Sequence, residues 1–225
     1  MVNHVLGFSF FDFLSFIEGI YVEMLIAPII TVFYFIKEKR KSLLFSLFML
    51  VYSIADLINF FDQESFNEAV YFVCNALYML SYLFLLLEMA KTMSFTFIIK
   101  KLPIHLIVLT LLNVYMMYVM VIIINPILFE TNHLIMVQAM EQMYNVFLLA
   151  ILSLSFLNYI INESSKTLLL FFACLTITFS EFLLIGYFYL SGEMLQIRYS
   201  AVVLELSAFL LFYFHATKEL NPTEV

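Results

Sequence analysis

Charged residues are scarce in this chain. Asp, Glu, Lys and Arg make up 12% of its 225 residues, whereas hydrophobic residues make up 64%, and the mean hydropathy is +1.04. A soluble domain carries roughly 25% charged residues because its surface faces water. The composition therefore excludes a water-soluble domain and indicates that most of the chain lies within a membrane.

Glycine and cysteine are also rare, which excludes several kinds of site. With four glycines the chain has no glycine-rich phosphate loop, and neither Gly-x-Ser-x-Gly nor His-Glu-x-x-His occurs in it. Its two cysteines, Cys74 and Cys174, both lie inside apolar runs, so we interpret them as small core residues rather than a disulfide or a redox pair. The four histidines share no spacing with other ligands, so we expect neither a metal site nor a cofactor.

Long apolar runs fill most of the chain. A helix needs about 20 apolar residues to cross the hydrocarbon core of a bilayer, and short polar connections separate the runs. We predict an all-α fold, a polytopic transmembrane helical bundle of seven spans that forms a single integral membrane domain over residues 1–225. The predicted spans, A to G, cover residues 12–36, 42–61, 69–90, 102–124, 134–161, 167–190 and 199–216.

The beginning of the chain leaves two alternatives open. Residues 4–18 either lie along the membrane interface, which we favour, or form a short eighth span with a turn near Gly19. The second alternative leaves too few apolar residues for a full crossing. No basic residue precedes this run and no small-residue cleavage signal follows it, so a cleaved signal peptide is not expected.

The positive-inside rule predicts the orientation of the spans. Seven spans place nine of the ten Lys and Arg residues on one side of the membrane and Arg198 alone on the other. We therefore expect residues 37–41 and the C-terminus in the cytoplasm, residues 62–68 and the N-terminus outside, and the protein in the bacterial inner membrane. The net charge of −7 argues against a nucleic-acid partner, and the expected partner is membrane lipid.

Four carboxyls within the predicted spans are flanked by apolar residues on both sides: Asp56 in span B, Glu141 in span E, Glu181 in span F and Glu205 in span G. Glu23 in span A and Glu88 in span C are less deeply placed. A charged side chain inside a span costs about 2.5–3.5 kcal/mol on insertion scales, and such residues usually face the bundle interior and serve function. At about 1.5 Å per residue, all four lie roughly 8–14 Å from the outer boundary. We therefore predict a shared polar cavity that opens outward.

Polar side chains beside these acids extend the predicted cavity lining. They are Ser53 and Asn59 on span B, Gln138 and Asn145 on span E, and Ser180 on span F. Because no Lys, Arg or His lies at that depth, we expect some of the carboxyls to be protonated or to share a cation. The alternative is that each acid is protonated, bonds to a neighbouring polar group and serves only helix–helix adhesion.

Spans B and F share a spacing that is typical of a parallel internal repeat. The separation of Leu43 and Asp56 equals that of Leu168 and Glu181, and both spans are expected to begin at the cytoplasmic side. We therefore predict that spans B and F pack against each other near the bundle centre. This packing would bring the two carboxyls within roughly 10 Å, since neither can face lipid without cost.

Several short stretches occur in an order found in one family of membrane enzymes. They are Ala27-Pro28 in span A, Ser53-Ile-Ala-Asp56 in span B, Asn75-Ala76-Leu77 with Tyr82 in span C, Phe179-Ser180-Glu181 in span F and the polar-containing stretch 202–212 in span G. In this order the chain resembles the YhhN-type lysoplasmalogenases over most of residues 22–215. It departs from their pattern at Ala27, where they have lysine, at Ala55, where they have glycine, and at Glu181, where they have aspartate.

The resemblance implies a membrane hydrolase that cleaves vinyl-ether lysophospholipids. It implies Asp56 and Glu181 as the catalytic pair, with Glu141 and Glu205 as supporting groups. Two other hypotheses stay open: a non-enzymatic protein that binds or moves a cation or proton through the acidic cavity, and a scaffold whose acids are structural. The inner halves of the spans are poorer in polar residues, which argues against a complete transport pathway.

Overall fold

The computed structural model describes residues 22–39, 41–62, 68–124, 134–190 and 195–218. Within these ranges it contains eight α-helices and no strand, which confirms the all-α prediction. After a 3₁₀ turn at Val22–Leu25 the helices are α1 Ile26–Lys37, α2 Leu43–Phe61, α3 Glu68–Lys91, α4 Phe95–Lys101, α5 Pro103–Ile124, α6 Leu134–Asn162, α7 Ser165–Leu190 and α8 Leu195–Thr217.

Six helices, α2, α3, α5, α6, α7 and α8, are long and apolar enough to cross a membrane, where seven spans were predicted. The protein is therefore a multi-pass membrane protein. Within predicted span A the structure describes the 3₁₀ turn and the 12 residues of α1, which are fewer than a full crossing needs. The two alternatives for residues 4–18 lie outside the described residues.

Six of the helices form a closed ring in the order α1, α2, α3, α6, α7, α8 and back to α1. Neighbours in this ring interlock through small polar groups. Thr31 on α1 lies 2.8 Å from the hydroxyl of Ser53 on α2, and Ser180 on α7 donates to the carbonyl of Ala201 on α8 at 2.7 Å. Such short-range hydrogen bonds let apolar helices associate where lipid offers no hydrophobic driving force.

The predicted packing of spans B and F as neighbouring helices is wrong, although a hydrogen bond from Tyr52 to Glu181 links them across the ring. These spans are α2 and α7, and in the ring α2 neighbours α1 and α3, whereas α7 neighbours α6 and α8. The two helices therefore stand on opposite sides of the ring and approach each other across its interior. The halves α1–α2–α3 and α6–α7–α8 follow each other in the same order around the ring, as two copies related by a half turn would.

Helix α5 lies outside the ring and packs mainly on α6. Most of its side chains face outward: Ile104 is 72% exposed and Leu111 is 65% exposed. Its polar contact to the ring is reciprocal: the amide nitrogen of Asn113 donates to the Ser153 hydroxyl at 2.8 Å, and that hydroxyl donates to the amide oxygen of Asn113 at 3.2 Å. An apolar helix with so little buried surface is stable here because lipid replaces a protein neighbour.

The connection predicted at residues 91–101 contains the short helix α4, which the sequence analysis missed. Ile98 is buried against Met93 and Leu157, whereas Lys100 and Lys101 are exposed. A helix of seven residues that has one buried face and ends in two lysines gives no long apolar run in the sequence. They pack over the end of α6 instead of crossing the bilayer.

Candidate functional site

A cavity of about 290 Å³ lies inside the ring, near the end of α2 at Phe61. It is lined by Glu23, Met24, Tyr52, Asp56, Asn59, Tyr71, Asn75, Tyr78, Glu141, Tyr144, Glu181, Leu184, Ile185, Val202 and Glu205. The predicted topology puts this end of the bundle outside. The opposite half of the ring is filled by aromatic and aliphatic side chains, so the cavity ends above a packed core.

All four intramembrane acids line this cavity, each from a different helix. Asn59 also lines it, but four other residues from the predicted lining do not. Ser53 and Ser180 instead hold helix pairs together through the contacts described above, Asn145 is fully buried beyond the lining, and Gln138 is half-buried. The four acids therefore share one cavity, as their depth in the sequence predicted, whereas four of the five polar side chains predicted beside them do not line it.

Asp56 is held by a short chain of hydrogen bonds. The amide nitrogen of Asn59 donates to the Tyr78 hydroxyl at 2.9 Å, and this hydroxyl donates to Oδ1 of Asp56 at 2.7 Å. Asp56 is 4% exposed, and its second oxygen, Oδ2, has no hydrogen-bond partner among the described residues. One oxygen of this carboxyl is thus fixed by the protein, and the other is not.

Glu181 is surrounded by tyrosine hydroxyls. Tyr52 donates to Oε1 of Glu181 at 3.3 Å and Tyr82 donates to the same oxygen at 3.5 Å. The Tyr144 hydroxyl lies 3.3 Å from that of Tyr82, and Tyr144 lines the same cavity. Helices α2 and α3 therefore each contribute a phenol donor to a carboxyl that α7 supplies, and α6 adds a third phenol beside them.

The tyrosines form one cluster between the two acids. The ring centroids of Tyr52 and Tyr78 are 4.8 Å apart, and those of Tyr82 and Tyr144 are 5.7 Å apart. This cluster was not predicted from the sequence, where Tyr82 alone was named, as part of the family resemblance. A signal was present: Tyr52 stands one helical turn before Asp56, and Tyr78 and Tyr82 share one face of α3.

The remaining acids have separate surroundings. Tyr71 donates to Glu141 at 2.5 Å, and Glu205 lines the cavity from α8. Glu23, in the 3₁₀ turn, pairs with Arg198 at 2.6 Å. The sequence analysis placed Arg198 in the polar connection before span G, but it lies in the first turn of α8, where it reaches an acid at the cavity margin.

The described part of the chain contributes no Lys, Arg or His side chain to the cavity lining. Within the same residues, no three His, Cys, Asp or Glu side chains are close enough to hold one metal ion. The arrangement therefore offers several proton-exchanging groups at one place, with phenols between the carboxyls and apolar residues of α7 and α8 beside them. Such a site suits proton transfer better than tight metal coordination.

The fold and the site together define an all-α multi-pass membrane protein with an acidic, tyrosine-lined cavity. Comparison with known proteins adds no relative: no family model, no curated protein and no solved structure matches this chain.

Proposed function

We propose that the protein is a membrane hydrolase of vinyl-ether lysophospholipids, similar to the YhhN-type lysoplasmalogenases, and that Asp56 and Glu181 carry the reaction. One observation supports this most: the buried carboxyl of Asp56 and the partly buried carboxyl of Glu181 line the same cavity from opposite sides of a helix ring, and tyrosine hydroxyls contact both. General acid–base hydrolysis needs one group that gives a proton and one that takes a proton.

The reaction balances with water as the only co-substrate. A carboxylic acid protonates the outer vinyl carbon, which leaves an oxocarbenium ion at the carbon bonded to oxygen. Water adds to that carbon while a carboxylate takes one of its protons, and a hemiacetal forms. The hemiacetal then collapses: its hydroxyl proton leaves, the ether oxygen gains a proton, and the products are an aldehyde and a glycerophospho-alcohol.

The cavity size suits the reacting part of a lysolipid rather than the whole molecule. Ligand sites commonly enclose about 300–1,000 Å³, and this cavity of about 290 Å³ is at the lower end. Leu184, Ile185 and Val202 provide an apolar wall beside the acids. In this proposal the vinyl-ether group lies between Asp56 and Glu181, and the rest of the alkyl chain passes along this wall towards the lipid.

The deciding experiment measures aldehyde release from a vinyl-ether lysophospholipid by purified protein in detergent. Asp56→Asn and Glu181→Gln should each reduce turnover by about 10²–10⁴-fold, because an amide keeps the size of the side chain but cannot exchange the proton. Glu88→Gln is the matched control. Glu88 pairs with Lys91 at 3.2 Å on the far end of α3, outside the cavity, so this variant should keep wild-type turnover.

Absence of aldehyde above a protein-free blank, with wild-type protein that is folded and monodisperse, would remove the hydrolase proposal. Equal turnover in Asp56→Asn, Glu181→Gln and wild type would leave a hydrolase but exclude these two acids from its reaction.

The acidic lining also favours a second candidate, a protein that binds or moves protons or monovalent cations. Its support is that five carboxyls, Glu23 among them, line the cavity with no basic side chain among the described lining residues. Proteoliposomes that carry a pH-sensitive dye distinguish the two candidates. Faster decay of a pH gradient than in protein-free liposomes, lost in Glu205→Gln, would favour this candidate over the hydrolase.

A further inference from the structure

We infer that Asp56 and Glu181 have different parts in this cavity: Asp56 is the acid that donates its proton from Oδ2, and Glu181 is the carboxylate that accepts a proton from water. The inference rests on the proposed function, and it follows from counting where each hydroxyl and amide hydrogen goes. The two carboxyls stand in similar positions of the two halves of the ring, but their hydrogen-bond donors differ.

The donors around Asp56 leave one of its oxygens unused. The amide nitrogen of Asn59 can only donate, so Tyr78 accepts from Asn59 and gives its single proton to Oδ1 of Asp56. Oδ2 is buried and receives no hydrogen bond within the described residues. An unpaired buried carboxylate oxygen is costly. A protonated Oδ2 instead carries a proton that no described protein group accepts, on a residue that lines the cavity.

The donors around Glu181 have the opposite arrangement. Tyr52 and Tyr82 both direct hydroxyl protons at Oε1, and the Tyr144 hydroxyl lies 3.3 Å from that of Tyr82. A carboxylate only accepts hydrogen bonds, whereas a carboxylic acid must also place one hydrogen of its own. A ring of phenol donors therefore complements the carboxylate form. The hydroxyl protons of the four tyrosines in the cluster, Tyr78 included, are all directed to one of the two acids or to another hydroxyl of the cluster.

The other acids near this pair have their own surroundings. Tyr71 bonds Glu141 from α3, and Arg198 of α8 pairs with Glu23 of the 3₁₀ turn. Glu205 faces the cavity from α8 and is the remaining titratable carboxyl of the lining. Glu205 therefore needs its own variant in the test.

The assignment completes the proton balance of the proposed reaction. Asp56 gives one proton to the vinyl carbon, and Glu181 receives one from water. After turnover Asp56 is a carboxylate and Glu181 a carboxylic acid, and water in the cavity returns one proton to Asp56 and takes one from Glu181. In this scheme Tyr78, Tyr52 and Tyr82 are positioning residues, since they act through the acids.

Infrared difference spectroscopy of the purified protein at neutral pH tests the assignment without any substrate. The carbonyl stretch of a protonated carboxylic acid is separate from the stretches of a carboxylate. Asp56→Asn should remove an acid band that wild type has, and Glu181→Gln should keep that band and lose carboxylate intensity. Glu205→Gln identifies any acid band that belongs to Glu205. Loss of an acid band in Glu181→Gln, or retention of every acid band in Asp56→Asn, would overturn the assignment.

Tyr78→Phe keeps the assignment testable if Asp56→Asn does not fold. Removal of the hydroxyl that bonds Oδ1 should shift the frequency of the Asp56 acid band, whereas Tyr82→Phe, which touches Glu181, should leave this band in place. An unshifted acid band in folded Tyr78→Phe would contradict the inference. The aldehyde assay is independent of these spectra: a wild type without turnover removes the proposed function, and a reversed spectrum removes only the assignment.

Discussion

The two ends of the helix ring are built differently. At one end, Phe48 of α2 and Phe212 of α8 have ring centroids 4.9 Å apart, and both are fully buried with their aliphatic neighbours. At the other end the same two helices carry Asp56 and Glu205 into a cavity. Packing supplies stability at the first end, whereas the second end gives up packing and holds acids at a desolvation cost. This contrast indicates that the cavity end is kept for function.

The predicted topology determines which end of the ring faces outward, and a labelling experiment should test it with an all-or-none result. In intact cells an impermeant thiol reagent should label Gln63→Cys and leave Lys39→Cys unlabelled, since the positive-inside rule predicts that the basic loop lies inside. Cys74 is 1% exposed and Cys174 is 0% exposed, so background labelling should be low. Labelling at Lys39→Cys with none at Gln63→Cys would invert the topology and turn the cavity towards the cytoplasm.

Truncation at the packed end should have the largest effect on stability. Phe212→Ala leaves a void beside Phe48 and Phe45 and should lower the free energy of unfolding by about 3–5 kcal/mol. Glu205 lies on the same helix but lines the cavity. Glu205→Gln keeps the side-chain size and should change the free energy of unfolding by less than about 1 kcal/mol. Denaturant unfolding followed by circular dichroism measures both. Similar losses in the two variants would mean that the cavity end contributes to packing as much as the core does.

The ion pair at the cavity margin should have a smaller effect. Arg198 and Glu23 are 16% and 22% exposed, and Arg198→Gln should lower the free energy of unfolding by about 1–2 kcal/mol, because a charge-assisted hydrogen bond is lost. Lys91→Gln breaks the exposed pair with Glu88 and should change it by less than about 0.5 kcal/mol. The same unfolding measurement compares them. An equal effect of the two variants would show that the Arg198 pair is as weak as a surface pair.

The helices and the depth of the acids could be predicted because the bilayer sets simple rules. A crossing needs a fixed length of apolar residues, and the fixed rise of a helix gives the level of Asp56, Glu141, Glu181 and Glu205. The order of helices around the ring could not be predicted. Spans that are apolar on every side show no face that is directed at a particular neighbour, so the shared spacing of Asp56 and Glu181 was interpreted as packing of span B against span F.

The chemistry of individual side chains was harder to predict than their depth. Tyr52, Tyr78 and Tyr82 look the same in sequence as tyrosines that face lipid, and only the ring closure brings their hydroxyls to the acids. Arg198 was placed in the connection before span G because its charge interrupts an apolar run. The structure extends α8 through it because Glu23 supplies a partner.

The exposed helix α5 has a consequence for how the two halves of the chain are oriented. Helices α3 and α6 run in the same direction, since Tyr71 meets Glu141 near one end and Thr92 meets Asn158 near the other. Because α3 and α6 are parallel, the chain must cross the bundle in the opposite direction between them, and α5 makes this crossing. If a short connection joined α3 directly to α6, the half α6–α7–α8 would have the opposite orientation, and Glu181 would lie at the opposite end of the bundle from Asp56.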